Sequence, residues 1–172
     1  MNFSVRMGEP AEAADVLRVK NASWQEAYRG VMPDDFLDGL TVTPGAVAHW
    51  QAMMADPACG VVVGETAGRI VGLSAYGPAG NRVPGGEVYA IYTLKECWSS
   101  GLGPELMAFS LARLTESGHG EAGLWVLENN PRARRFYEKT GFALSGRTQA
   151  EEISGVRLPE VHYRMALTPD QG

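Results

Sequence analysis

The sequence predicts an α/β fold, a mixed sheet with helices on both faces, and three observations carry that prediction. The first is the central stretch. An apolar strand (Glu87-Val-Tyr-Ala-Ile-Tyr-Thr93) runs into a Gly-rich turn (Trp98-Ser-Ser-Gly-Leu-Gly103), a helix, and a second strand (Leu124-Trp-Val-Leu127). The second is a hairpin pattern, in which Val61–Val63 and Ile70–Tyr76 are joined through Ala67-Gly-Arg69. The third is continuity: no internal repeat, low-complexity run or linker-like shift of composition divides the 172 residues. One domain is the prior at that length.

The remaining elements follow in order. Phe3 to Met7 alternates as a short strand. Glu9-Pro-Ala-Glu opens a helix with proline and acids in its first turn, and the pattern Val16, Val19, Ala22, Ala27 carries it to about Tyr28. Arg29-Gly30 stops it. Pro33-Asp-Asp-Phe-Leu-Asp begins a second, short helix, and Thr43-Pro-Gly-Ala a third that bears Val47, Trp50 and Met54. Pro78–Gly86 reads as a loop before the central strand. The helix after the turn is expected over Leu106 to Leu114, ended by Ser117-Gly118. Two strands close the chain, near Ala143–Thr148 and Val161–Leu167.

Composition bounds the function. With 45% hydrophobic and 20% charged residues the chain is an ordinary globular protein. A formal charge of −5 argues against nucleic acid or an anionic membrane as partner. Cys59 and Cys97 form neither a metal-ligand spacing nor a disulfide framework, as expected in a reducing compartment. Met1 to Asp15 has no basic region followed by an apolar run, and no stretch reaches the length of a membrane span. These features predict a cytoplasmic protein. His49, His119 and His162 are scattered, so no metal site is expected.

A strand that passes through a Gly-rich turn into a helix start offers several backbone N–H groups to one anion, and the aligned peptide dipoles favour negative charge there. Gly101 and Gly103 fill the glycine positions of the Gln/Arg-x-x-Gly-x-Gly/Ala turn of the Gcn5-related N-acetyltransferases (GNAT superfamily), which bind acetyl-CoA at this point. Asn130 to Phe142 is similar to that family's Asn-x-x-Ala-x-x-Phe-Tyr-x-x-x-Gly-Phe run. Both motifs, correctly ordered and one strand apart, make the resemblance specific, and in looser form it covers nearly the whole chain. It implies a single GNAT domain over residues 1–172 with a mostly antiparallel, twisted sheet, and an acetyl-CoA-dependent N-acetyltransferase. The acceptor it implies is a small-molecule or peptide amine, and a homodimer is the family's common habit.

The resemblance also implies roles. Tyr137 matches the position whose hydroxyl protonates the departing thiolate, although Ala133, Phe136 and Tyr137 also share a helix face that suits packing. Glu87 stands where histone-acetylating members keep a catalytic base. Glu128 is the runner-up, and water is a third possibility. Ile91, Tyr92 and Thr93 match the backbone beside the pantetheine, and Ser99, Ser100, Gly101, Leu102, Gly103 and Pro104 match the pyrophosphate turn. Asn130 matches a pantetheine contact and, followed by Pro131, is also a helix N-cap. Ser23 to Pro33 looks like an acceptor-pocket segment, which makes Trp24 and Tyr28, with Tyr92, candidate substrate contacts. The turn departs from the family in having no Arg or Lys, and Pro104 removes one donor. Arg132, Arg134 and Arg135 form a basic patch nearby, of which at least two are expected to face solvent.

Two other classes fit less well. Gly101-Leu-Gly103 as half of a dinucleotide fingerprint lacks the third glycine, where Leu106 stands, and does not open a βαβ unit. A non-catalytic acyl-CoA sensor would have little use for both Tyr137 and Glu87.

Overall fold

The computed structural model describes residues 2–80 and 83–169, so two residues of the loop expected over Pro78–Gly86 lie outside it. Seven strands form one sheet: β1 (Ser4–Met7), β2 (Gly60–Thr66), β3 (Arg69–Pro78), β4 (Gly86–Thr93), β5 (Glu121–Leu127), β6 (Ala143–Ile153) and β7 (Val156–Ala166). Their order across the sheet is β1-β2-β3-β4-β5-β7-β6. Every pairing is antiparallel except β4 with β5. The helices are α1 (Ala13–Ala27), α2 (Asp34–Asp38), α3 (Pro44–Ala55), α4 (Leu102–Glu116) and α5 (Pro131–Thr140).

Local chemistry explains the boundaries. Ala67 and Gly68 between β2 and β3, and Ser154 and Gly155 between β6 and β7, all have positive φ. Two left-handed residues in succession match the twist of the flanking strands, which is how two-residue hairpins close. Thr43 caps α3 by accepting from the Ala46 N–H at 3.2 Å, with Pro44 following. Two expectations need correction. Helix α4 begins at Leu102 rather than Leu106, because Pro104 falls in the first turn, whose N–H groups have no intrahelical partner to lose. Strands β6 and β7 run several residues longer than their apolar centres, since pairing through the Ser154-Gly155 turn extends both.

The sheet has a core on each face. On one, Leu102, Leu106 and Met107 of α4 pack with Val62, Val71, Val88 and Leu124, and Phe136 and Tyr137 of α5 join them. On the other, Val16 and Val19 of α1 and Met54 of α3 pack on Val61, Val63 and Leu73. A third cluster gathers Met32 and Leu37 against Leu158. Gly64 and Gly72 face each other across β2 and β3, and a Cβ on Gly64 would lie 2.6 Å from Leu102 Cδ1. The bare strands therefore let Leu102 sink onto the sheet. Burying such a side chain is worth about 1.5–3 kcal/mol, and it ties down the turn that precedes the helix.

One irregularity positions the site. Strands β4 and β5 pair only at Gly86↔Ala122 and Glu87↔Gly123, then part, although β4 continues to Thr93 and β5 to Leu127. The sheet is open at its centre, and main-chain groups of both strands face the gap. Among the described residues no helix is long and apolar enough to cross a membrane.

Candidate active site

A cavity of about 730 Å³ occupies the gap between β4 and β5. That is within the roughly 300–1,000 Å³ usual for small-molecule sites. It runs from the start of α4 to the loop after α1, and its two ends differ in charge.

At the first end lies the turn before α4. Gly101 has φ +94°, a conformation that glycine adopts without strain, and it caps the helix. Among the described residues the N–H groups of Ser99, Gly101 and Gly103 have no protein acceptor, while Ser100 is committed locally, its hydroxyl donating to the Cys97 carbonyl. Three free donors at the N-terminus of a 15-residue helix make an anion site. Across the gap, Arg132, Arg135 and Lys139 line the cavity from α5. Among the described residues none of the three makes an ion pair. Arg132 lies over the Trp98 ring at 3.6 Å, and Trp98 is itself fixed by donating to the Thr93 carbonyl at 3.2 Å. Arg134 turns away, donating to the Tyr163 hydroxyl and the Glu128 carbonyl, both at 3.0 Å. Arg132 and Arg135 thus border the cavity mouth while remaining exposed, in line with the expectation that at least two of the three arginines face solvent. The charge absent from the turn stands opposite it.

The middle is aromatic. Tyr28, Tyr92 and Tyr137 line the cavity, and each phenol is pushed above its ordinary value, chiefly by burial. Tyr137 packs edge-on against Phe136 and stays fully protonated at neutral pH. Asn130 lines the wall while its side-chain oxygen accepts from the Ala133 N–H at 3.1 Å, capping α5. Trp24 and Tyr28 pack with ring centroids 4.7 Å apart and planes tilted by 58°.

The far end is acidic. Glu151 of β6 and Glu160 of β7 line it, with Trp125 of β5 between strand and cavity. Burial and the charge of Glu151 raise the Glu160 carboxyl, against a hydrogen bond from Gln149 at 2.7 Å. Glu87 does not line the cavity. It is half-buried in β4, and burial followed by the charge of Glu160 raises its carboxyl to about 7. Its neighbour Gly123 accommodates His162, whose ring a Cβ there would approach to 2.5 Å. His162 is buried and held neutral by that burial, with Nδ1 2.7 Å from Ser145 Oγ. Glu128 sits on a separate shallow recess with Gly30 and Asn129.

The cavity wall brings together Trp24, Tyr28, Ile91, Tyr92, Thr93, Ser99, Gly101, Gly103, Pro104, Asn130 and Tyr137. Ser100 and Leu102 support the turn from behind it. The sequence reading missed Trp98, Trp125, Glu151 and Glu160. For Glu160 a signal existed: it shares a strand face with His162 and Leu158, an acid within an apolar alternation.

Comparison with known proteins agrees with this architecture. The model of the Acetyltransferase (GNAT) family matches residues 21–142. An uncharacterized N-acetyltransferase of Bacillus subtilis, YuaI, is 32% identical, with 92% of this chain and 90% of that protein aligned. A probable N-acetyltransferase of Mycobacterium tuberculosis is 26% identical over 99% and 98% of the two chains. Among solved structures, the fold is shared with the PaiA N-acetyltransferase of Thermoplasma acidophilum in complex with coenzyme A (TM-score 0.73, 16% identity, 94% and 98% coverage). It is also shared with YncA of Salmonella typhimurium with its cofactor acetyl-CoA (TM-score 0.75, 17% identity, 100% and 98% coverage). The chain belongs to the acetyltransferase (GNAT) family, whose members take their acetyl group from acetyl-CoA.

Proposed function

We propose that this protein transfers the acetyl group of acetyl-CoA to a primary amine by direct attack within a ternary complex. One observation carries the reading: a single cavity joins free N–H donors and unpaired cations at one end to a protonated phenol and carboxylates farther in. The donor set suits the co-substrate. Its pyrophosphate matches the N–H groups of Ser99, Gly101 and Gly103, with Arg132, Arg135 and Lys139 opposite. Its amide-bearing arm matches the Asn130 wall and the edge of β4 near Ile91 and Tyr92, which pairs with β3 on one side and has no strand partner on the side of β5.

In this account the amine nitrogen bonds to the acetyl carbon, and the carbon–sulfur bond breaks. Tyr137, protonated at working pH, gives its proton to the departing sulfur. The amine's proton goes to Glu87, reached through water or through Glu160 on the cavity wall. Burial, and to a lesser extent the charge of Glu160, raises the Glu87 carboxyl to about 7. A base near pH 7 is suited to the task, because it is substantially ionised and still holds a proton once it accepts one. Thiol release from acetyl-CoA across a panel of small-molecule and peptide amines tests the proposal. Amine-dependent release supports it, and tight acetyl-CoA binding with no release for any amine would favour a sensor instead.

A further inference from the structure

Glu151 and Glu160 line the far end of the cavity, and among the described residues neither they nor the nearby Glu87 has a cationic partner. Unpaired carboxylates in a partly buried space are costly, as for Glu87 and Glu160, and Glu160 also feels the charge of the exposed Glu151. The described residues hold no group of acids, histidines or cysteines placed to bind a metal. The walls are instead aromatic: Tyr28, Tyr92 and Trp125, with Trp24 tilted against Tyr28 and its ring already carrying the Lys20 ammonium at 4.7 Å. Tyr28 and Tyr92 both feel the charges of Glu151 and Glu160, so rings and acids address one space. Carboxylates among aromatic faces are the chemistry that recognises an organic ammonium.

The register adds a length. Gln149 pairs with Glu160 and Glu151 with Leu158, which makes Glu151 and Glu160 diagonal neighbours on one sheet face. Such neighbours stand about 7–8 Å apart, the span of a short aliphatic diamine.

We infer that the acceptor is a dicationic amine: one ammonium is brought to Glu160 for acetylation, while Glu151, with Tyr28, holds the second. This rests on the acetyltransferase reading and deepens it by naming the acceptor class. Glu151 is then a specificity residue, separate from the proton-transfer pair.

The experiment compares 1,4-diaminobutane with 1-aminobutane in two ways: kcat/KM with acetyl-CoA, and binding to the CoA-loaded protein followed by tryptophan fluorescence. The diamine should be preferred at least about tenfold in both, as a charge-assisted contact requires, and added salt should narrow the gap. In Glu151→Gln, checked for folding by circular dichroism, the ratio of kcat/KM for diamine over monoamine should collapse toward one, mainly through KM. Equal use of both amines by the wild type, or an unchanged ratio in Glu151→Gln, overturns the inference and leaves acetyl transfer standing. Preferential diamine binding without turnover of any amine supports the cation site and overturns the acetyltransferase reading.

Discussion

Burial and the neighbouring Tyr92 keep the Tyr137 phenol protonated well beyond neutral pH, so at working pH it is an acid and not a base. Tyr137→Phe should therefore lower kcat by about 10²-fold or less, since general acids typically contribute ~10²–10⁴ and water replaces part of the loss. Calorimetric affinity for acetyl-CoA should be unchanged; an unaltered kcat, with chemistry rate-limiting, would remove Tyr137 from the mechanism. Glu87 acts in the opposite sense. Its carboxyl is raised from the ordinary 4.5 to about 7, so kcat/KM should rise with pH through that region, and in Glu87→Gln the rise should vanish or move. The same shift has a stability consequence. A folded-state value above the unfolded one means that the native protein holds the extra proton between about pH 4.5 and 7, so stability falls as pH climbs through that window. After discounting for solvent exposure the penalty above it is about 1–2 kcal/mol. Glu87→Gln should accordingly raise Tm at about pH 8 and leave it nearly unchanged below pH 4.5, a stability gain bought with activity. Equal Tm for both proteins at high pH would show that the carboxylate is not strained.

The turn before α4 and the first turns of α5 form the anion end as a pair of elements. Arg132→Ala should weaken acetyl-CoA binding about tenfold, as removal of a charge-assisted phosphate contact does, and the loss should shrink with salt. A salt-independent loss would assign Arg132 to packing on Trp98 instead. Gly103→Ala separates fold from function. Its Cβ would meet Phe136 at 3.4 Å, an ordinary contact, and alanine suits a helix by about 1 kcal/mol. The protein should hold or gain stability while acetyl-CoA binding weakens, because the methyl group occupies the anion's approach to the turn; unaltered affinity would move the phosphates elsewhere. These elements were legible in the sequence because their signals are local: two glycines with one residue between them, a cap followed by proline, and Ala133 sharing a helix face with Phe136 and Tyr137 one turn on. Glu151 was not legible, and Glu160 left only the weak signal of an acid on a strand face with Leu158. Acids such as Glu151 and Glu152 in a terminal strand read as solvated, and only the pairing of β6 with β7 and the departure of β5 from β4 turn Glu151 and Glu160 toward a cavity. The arginines of α5 were legible as a basic patch near the turn, but Lys139, two turns farther along α5, was not, since only the fold carries it to the cavity.

At the scale of the molecule, the open sheet does the organising. The order of strands and helices followed from periodicity, but the parting of β4 and β5 is a non-local event with no mark in either strand. It produces a passage with cations at one end and carboxylates at the other, in a chain whose overall charge is −5. That polarity is what lets one cavity hold an anionic acetyl donor and a cationic acceptor together. The central claim is that both occupy it at once. It is tested by mixing protein, acetyl-CoA and amine, and measuring free thiol and acetylated amine together by mass spectrometry. The account predicts one thiol released per acetyl group gained by the amine, neither appearing when either substrate is omitted, and both lost in folded Gly101→Val, whose φ of +94° a β-branched residue cannot adopt without strain. Thiol release that proceeds without amine, or acetylated amine formed undiminished by Gly101→Val, would contradict it.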